Sequence, residues 1–160
     1  HPLPCISLGE RPMALYQHIL IAADFSNHTD MVIHRAKALA SANNTRLSLC
    51  HIVEDFPLTD FAYEPMISVD ADMREALLDA GKKQLTALGQ KFDIEPNNQW
   101  IEFGSPGRDI VRIAEENNVD LIVVGSHGRK GIKMLLGSTA NAVLHHAGCD
   151  VLAVRLKGES

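Results

Sequence analysis

Apolar residues along the chain gather in short runs, and the segments between these runs carry apolar positions at helical spacing. The runs are four to eight residues long and are bounded by polar or turn-forming residues, which is typical of strands. They cover residues 17–23, 46–53, 99–103, 121–124 and 150–156. The run 121–124 is nearly all apolar, as expected for a strand in the middle of a sheet that is covered on both faces. The pattern therefore predicts five strands.

Helical periodicity predicts a helix in each interval between the strands. The helices are expected at 29–42, at about 69–92, from Pro106 to the Asn117–Asn118 pair, and at about 138–146. Ser105 suits the N-cap of the third helix, and Pro106 suits its first position. The side chains expected to face inward are Val32, Ala36, Leu39, Ala40, Met73, Leu77, Leu78, Leu85, Leu88, Ile110, Ile113 and Ala114.

The strict alternation of strands and helices determines the expected fold class. Strands that alternate with helices of these lengths form a parallel sheet wound by right-handed crossovers. We therefore expect an α/β fold with a single doubly wound five-stranded parallel sheet and helices on both faces. No repeat or second linker divides the sequence, so one domain is expected from 13 to 160.

Composition and charge exclude several classes of protein. The hydrophobic content of 46% fits one globular domain with a core, and the longest apolar runs are too short to cross a bilayer. A net charge of -5 argues against a general nucleic-acid binder. The cysteines, Cys5, Cys50 and Cys149, are odd in number and widely spaced, so we expect free thiols in or near the core and a cytoplasmic location. Residues 1–12 have no periodic pattern and are expected to be a leader or an expression remnant, with Met13 as the natural start.

The loops that follow the strands are informative, because ligands of doubly wound sheets bind beyond the carboxyl ends of the strands. The first loop, Asp24-Phe25-Ser26-Asn27, has no glycine, which argues against a Rossmann dinucleotide site, and the sequence has no Walker A motif. Glycines follow the fourth strand instead, in the segment 125–131 and again at 137, where Ser138 and Thr139 begin a helix. Glycine backbone and a helix start with hydroxyls can hold phosphate, and Arg129, Lys130 and Lys133 add positive charge. The alternative is a surface loop that is glycine-rich only for turning.

Metal and hydrolase motifs are missing from the sequence. His145 and His146 are adjacent on a helix and point to different faces, and no HExxH or similar spacing occurs, so no metal site is expected. Ser126 lies in GSHG and not in a GxSxG elbow. His51 ends a strand among apolar residues and is expected to be structural.

Longer segments resemble a known family. The sequence from Val119 to Val154 with its preceding Asn118, NVDLIVVGSHGRKGIKMLLGSTANAVLHHAGCDVLAV, is similar to the C-terminal signature of the universal stress protein A family. HILIAADFS at 18–26 resembles the first strand and turn of that family, and the likeness extends over 14–156. Members that bind ATP carry Gly, two residues, Gly, nine residues, Gly, then Ser or Thr. This chain matches with Gly125, Gly128, Gly137 and Ser138, but eight residues, 129–136, separate the second and third glycines.

The resemblance implies site residues and the strand order 3-2-1-4-5. Ala22 and Ile52 would line the adenine pocket, and Asp24 would contact the base or the ribose; the alternative, by chemistry alone, is that Asp24 caps the following helix. The other residues implied along the nucleotide and its phosphates are Val124, Gly125, His127, Gly128, Arg129, Gly137, Ser138 and Thr139. Related proteins commonly dimerise through the last strand, which implies a homodimer.

The implied function is adenine-nucleotide binding, with ATP, ADP or AMP, by a stress-response or regulatory module. Any magnesium would be held mostly by the phosphates and by water. Because neither a Walker lysine nor a base is evident, any ATP hydrolysis is expected to be slow. The alternative is a nucleotide-dependent transferase or hydrolase on the same fold. A further alternative is a flavin-binding or phospho-receiver module of flavodoxin-like topology, but the receiver is excluded, since Gly104-Ser105 stands where it needs an aspartate.

Overall fold

The fold was determined as a computed structural model that describes residues 15–41, 44–55, 71–127 and 136–156. Strands and helices alternate from one end of this part to the other, as predicted. In chain order the elements are β1 (His18–Ala22), α1 (Thr29–Leu39), β2 (Arg46–Glu54), α2 (Ala71–Phe92), β3 (Gln99–Gly104), α3 (Pro106–Glu116), β4 (Leu121–Gly125), α4 (Ser138–His146) and β5 (Asp150–Val154). A single 3₁₀ turn, Pro96–Asn98, precedes β3 in the described part.

The strands form one five-stranded parallel sheet in the order β3-β2-β1-β4-β5. In the middle of the sheet, Ile21 of β1 lies beside Leu49 of β2 on one side and Val123 of β4 on the other. The winding direction reverses between β1 and β4, because the chain builds outward from β1 to β3 and then returns to place β4 on the other side. The predicted fold class and strand order are confirmed.

Two apolar layers cover the faces of the sheet. Ile19 and Ile21 pack on one face with residues of α1 and α2, whereas Leu20, between them in sequence, packs on the other face with residues of α3 and α4. This division follows from the alternation of side chains along a strand. All three are fully buried, so β1 lies in the middle of the core. Both layers are needed to cover a sheet whose central strands are apolar on both sides.

Left-handed residues end α2 and α3. Asp93 and Asn118 have φ of 58° and 54°. In each case the N–H of the following residue donates to a carbonyl of the last helical turn. Ile94 bonds to the carbonyl of Gly89 at 2.8 Å, and Val119 bonds to the carbonyl of Ala114 at 2.9 Å. This is the Schellman pattern, in which Asn and Asp adopt the left-handed conformation more readily than most residues. The predicted end of α3 at the asparagine pair is confirmed.

The prediction that Met73 and Leu77 face inward was wrong. Their exposed fractions are 54% and 41%, and the buried residues of α2 are found only from Gly81 onward, at Gly81, Leu85, Gly89 and Phe92. Gly81 lies so close to the sheet that a Cβ there would come 2.4 Å from the Cδ1 of Ile101. The first close contact of α2 with the sheet is thus made by a glycine. The spacing of apolar side chains does not reveal this contact, because glycine has no side chain.

A smaller error concerns α1. Leu39 was expected to face inward but is exposed, whereas Ile33 is fully buried with Val32 and Ala36. Leu39 is the last residue of the helix, and the C-cap residue Ala40 after it packs against the core layer. The last buried residue within α1 is Ala36.

Candidate functional site

The carboxyl ends of the strands bring three predicted site residues to one side of the sheet. Ala22, Ile52 and Val124 stand at or near the ends of β1, β2 and β4. All three belong to or pack against the apolar layer under α3 and α4. Ile52 and Val124 are buried and Ala22 is partly exposed. The structure therefore places this apolar group next to the helices whose first turns rise from the same edge of the sheet.

A cleft of about 620 Å³ opens between the start of α3 and the side of α4, where its lining runs from Ser138 to His146. Ser138 and Thr139, both predicted site residues, border it on the side of α4. Val111 of α3 lines the cleft and also belongs to the apolar layer of Ile52 and Val124, so the cleft is continuous with that layer. The remaining lining residues are Glu54, Ser105, Pro106, Gly107, Arg108, Ala142 and His146.

Helix α4 begins at the cleft in a form suited to anions. Gly137 is its N-cap, with φ of -60° and ψ of 154°, and Ser138 and Thr139 form the start of its first turn. No side-chain hydrogen bond caps the helix. The first N–H groups of a helix have no partner within it, and the helix dipole places partial positive charge there. Backbone donors and two hydroxyls thus converge at this end of the cleft.

Ser126 fixes the start of the loop between β4 and α4. It is buried, its Oγ accepts a hydrogen bond from the N–H of Leu156 at 3.1 Å, and its own N–H bonds to the carbonyl of Val154 at 2.8 Å. Its carbonyl accepts the N–H of Gly137 at 2.6 Å. One serine therefore ties β4, β5 and the N-cap of α4 together. This role could not be predicted from the sequence, because the partners of Ser126 are distant in the chain or lie across the loop.

Close contact of α3 with α4 sets the width of the cleft. A Cβ on Gly107, in the first turn of α3, would lie 2.5 Å from the Cβ of Ala142, one turn into α4. Real Cβ atoms do not approach so closely, so only glycine allows the two helices this spacing.

Asp109 organises the first turn of α3. Ser105 occupies the predicted N-cap position, but its hydroxyl makes no capping bond. Its N–H instead donates to the carboxylate of Asp109 at 2.8 Å, and Arg108 and Arg112 each approach that carboxylate at 3.3 Å. Burial acts to raise the pKa of Asp109, but the bonds from Ser105, Arg108 and Arg112 outweigh it and hold the pKa below its ordinary value. Asp109 is therefore an ionised anchor behind the cleft wall, which sequence reasoning missed.

Arg112 extends this network to the edge of the sheet. Besides Asp109, its guanidinium bonds to Glu116 at 3.0 Å and to Glu102 of β3. Burial alone would lower the pKa of Arg112, but its bonds to these carboxylates raise it. The network joins α3 to β3, which keeps the first turn of α3 in a fixed position against the sheet.

Asp24 is engaged within its own loop. Its Oδ1 accepts the N–H of Ser26 at 2.9 Å and the hydroxyl of Thr29, the first residue of α1, at 3.1 Å. These bonds hold the turn that leads into α1, in line with the capping alternative, although His28 and not Asp24 is the N-cap. The contact of Asp24 with a base or ribose stays a prediction.

The turn after β1 also contains an unusual backbone. Phe25 has φ of 60°, a conformation that bulky residues rarely adopt, and its ring lies on that of His51 with centroids 4.1 Å apart. The Nδ1 of His51 donates to the carbonyl of Ala23 at 2.6 Å. Phe25 packs against the layer under α1 and α2, on the opposite face from the cleft. The Phe25–His51 pair therefore supports the turn from the face of the sheet opposite the cleft.

Part of the predicted glycine loop falls outside the described residues. Gly128 and Arg129, with Lys130 and Lys133, belong to that part, and His127 is the last described residue before it. Gly125 is described, and a Cβ there would lie 3.1 Å from the Cδ1 of Leu156. A side chain at Gly125 would thus press on the core. Packing therefore favours glycine at this position whether or not a ligand binds there.

The described residues contain no group of three or more His, Cys, Asp or Glu side chains placed to hold a metal ion. Cys50 and Cys149 are free thiols, buried and partly buried, as predicted. None of the helices described is both long and apolar enough to cross a membrane.

Comparison with known proteins shows the family. The sequence model of the universal stress protein family matches residues 15–155. The chain belongs to this family. The universal stress protein A homolog 2 of Coxiella burnetii is 40% identical over 144 residues, covering 89% of this chain and 97% of the relative.

Solved structures of universal stress proteins share the fold. The universal stress protein UspA from Lactobacillus plantarum superimposes with a TM-score of 0.71 at 25% identity, covering 88% of this chain and 98% of that one. A universal stress protein crystallised in complex with cAMP has a TM-score of 0.51 at 26% identity, covering 88% and 97% of the two chains. This universal stress protein thus has the fold of a family in which one member is seen with a nucleotide.

Proposed function

We propose that this universal stress protein binds an adenine nucleotide (ATP, ADP or AMP) in the cleft between α3 and α4 and acts as a stress-response or regulatory module. The observation that carries the proposal is the start of α4, where Ser138 and Thr139 border the cleft beside free backbone donors. The cleft lies at the carboxyl edge of a doubly wound sheet, where such folds bind ligands. The cAMP complex of a relative supports the same ligand class.

The dimensions and lining of the cleft fit a nucleotide. Its 620 Å³ lies within the roughly 300–1,000 Å³ of small-molecule sites. Ala22 at the end of β1 is partly exposed and packs against the layer of Ile52 and Val124, so it offers apolar surface for a base, while the first turn of α4 offers donors for phosphate. A nucleotide with its phosphates toward α4 and its base toward β1 and β2 satisfies both.

Binding, and not turnover, is the proposed output. Fast phosphoryl transfer needs an oriented nucleophile, charge stabilisation and usually a metal held by defined ligands. Glu54 and His146 lie on the rim of the cleft, but within the described part of the chain no hydrogen bond orients either side chain. A slow hydrolase, or a transferase with a second substrate, is the alternative, and magnesium would be bound mainly by the phosphates and water. Turnover of ATP at about ten per second would favour that alternative.

A homodimer through β5 in the cytoplasm completes the proposal. Strand β5 is an edge of the sheet, and its residues Val151, Leu152 and Ala153 are only partly buried. An edge with apolar side chains favours pairing with a second copy. Light scattering after gel filtration is expected to give the dimer mass at micromolar concentration, and a monomer mass throughout would contradict the dimer.

The nucleotide site is tested by removing a hydroxyl at the start of α4. Thr139→Val keeps the shape of the side chain and removes its donor, and loss of a hydrogen bond to a charged group costs about 1.5–3 kcal/mol, or at least about tenfold in affinity. Thr86→Val is the matched control, since Thr86 is a partly exposed helical threonine on α2. Calorimetry with ATP is expected to show weaker binding for Thr139→Val alone. Equal affinities in both variants would contradict the placement of the phosphates.

A further inference from the structure

The wall of the cleft opposite α4 carries a cationic side chain. Arg108 lies in the first turn of α3 and lines the cleft. Among the cleft residues that the structure describes, Arg108 is the one lysine or arginine. Its side chain is 74% exposed, so the guanidinium is available to a ligand.

Arg108 is tethered at one point. Its Nη2 donates to the carboxylate of Asp109 at 3.3 Å, and the side chain of Asp109 is only 10% exposed. Asp109 in turn is fixed by the N–H of Ser105 and by Arg112. A guanidinium carries five N–H donors, so the bond to Asp109 leaves donors for a second anion. The tether also limits the freedom that Arg108 would lose when a ligand binds.

The geometry directs this side chain to the same space as the start of α4. Gly107, directly before Arg108, is in contact with Ala142, and Ala142 follows Ser138 by about one helical turn. The first turns of the two helices are therefore side by side at one edge of the sheet. Phosphate bound at Ser138 and Thr139 would have α3 and Arg108 as its opposite wall.

We propose that Arg108 is a specificity-determining residue that binds the outer phosphates of the nucleotide, so that the site prefers ATP and ADP to AMP and adenosine. The proposal rests on the nucleotide site proposed above and assigns a contact in it to α3. Attraction between the guanidinium and the ligand grows with the charge of the phosphate chain. The contribution of Arg108 should therefore be largest for ATP and negligible for adenosine.

The test compares Arg108→Gln with Arg35→Gln, which makes the same charge change at an exposed position of α1 on the opposite face. Affinities for adenosine, AMP, ADP and ATP are measured by calorimetry at low and high salt. Loss of a charge-assisted contact predicts about tenfold weaker ATP binding for Arg108→Gln, with a smaller loss for AMP and none for adenosine. Arg108→Lys, which keeps the charge but not the planar fork, should recover part of the loss.

The outcomes separate this proposal from the nucleotide site itself. If wild type binds ATP and Arg108→Gln binds it equally well, Arg108 does not contact the phosphates. If Arg108→Gln weakens adenosine and ATP by the same factor, its effect is structural and the proposal is wrong. If wild type binds none of the four ligands, the nucleotide site is contradicted, and the assignment of Arg108 with it. Circular dichroism and thermal melting confirm that each variant is folded.

Discussion

Replacing Gly107 by alanine tests the contact that sets the spacing of α3 and α4. The added Cβ would lie 2.5 Å from the Cβ of Ala142, so the helices must separate or the backbone must shift. Overpacking of this kind costs about 1–3 kcal/mol. Alanine gains up to about 1 kcal/mol over glycine in a helix, which offsets part of the cost. A net loss of about 1–2 kcal/mol is expected for Gly107→Ala.

The reciprocal change supplies the control. Ala142→Gly opens the space that a side chain at 107 needs, and by itself it should cost about 1 kcal/mol in helix propensity. In the double variant the two propensity terms cancel and the collision is removed, so its stability should return to within about 1 kcal/mol of wild type. Urea unfolding followed by circular dichroism measures the free energy of unfolding of all four proteins, provided that the m-values agree.

Strict additivity would refute this reasoning. If the loss in the double variant equals the sum of the two single losses, the two positions do not share one space. The same proteins also test the link to function, because α3 and α4 border the cleft. Gly107→Ala should bind ATP more weakly than wild type, and the double variant should regain affinity together with stability.

Two further predictions follow from buried titratable groups. Burial of His18 lowers its pKa below 6.5, so between 6.5 and that lower pKa the unfolded chain holds a proton that the folded chain does not. The free energy of unfolding should therefore reach its highest value above pH 6.5 and decrease as the pH drops below 6.5. Denaturant titrations at several pH values should show a smaller decrease for His18→Gln than for wild type. The same decrease in both proteins would contradict this prediction. Burial, with a minor effect of Glu102, raises the pKa of Cys50 to about 12, so at pH 8 a thiol reagent should modify Cys50 only as the chain unfolds. The variant Cys5→Ser/Cys149→Ser isolates this thiol, and labelling of the folded protein as fast as of the denatured protein would overturn the prediction.

Local signals predicted most of the fold. The start of α4 at Ser138 follows a glycine and coincides with a return of helical periodicity, and the end of α3 at Asn118 has the residue that a left-handed cap favours. Apolar runs with turn residues at both ends located the strands. These signals lie within a few residues of the feature they predict, so one sequence is enough to detect them.

Features that depend on distant contacts could not be predicted in this way. The exposure of Met73 depends on where α2 first meets the sheet, at Gly81, which only the packed structure reveals. Asp109 looks like any charged residue of a helix until its bonds to Ser105 and Arg112 are seen. The same distinction holds for the candidate site. Ser138 and Thr139 were singled out from the nearby glycine pattern, whereas the wall formed by α3 depends on distant contacts and was not predicted.

Titration of the wild-type chain with ATP tests the central claim most directly. Native mass spectrometry and calorimetry on the same sample measure the stoichiometry and the affinity, with GTP as the competitor that differs only in its base. The account predicts one adenine nucleotide per chain and tighter binding of ATP than of GTP. Absence of ATP binding up to millimolar concentration, or equal binding of ATP and GTP, would contradict an adenine-nucleotide site between α3 and α4.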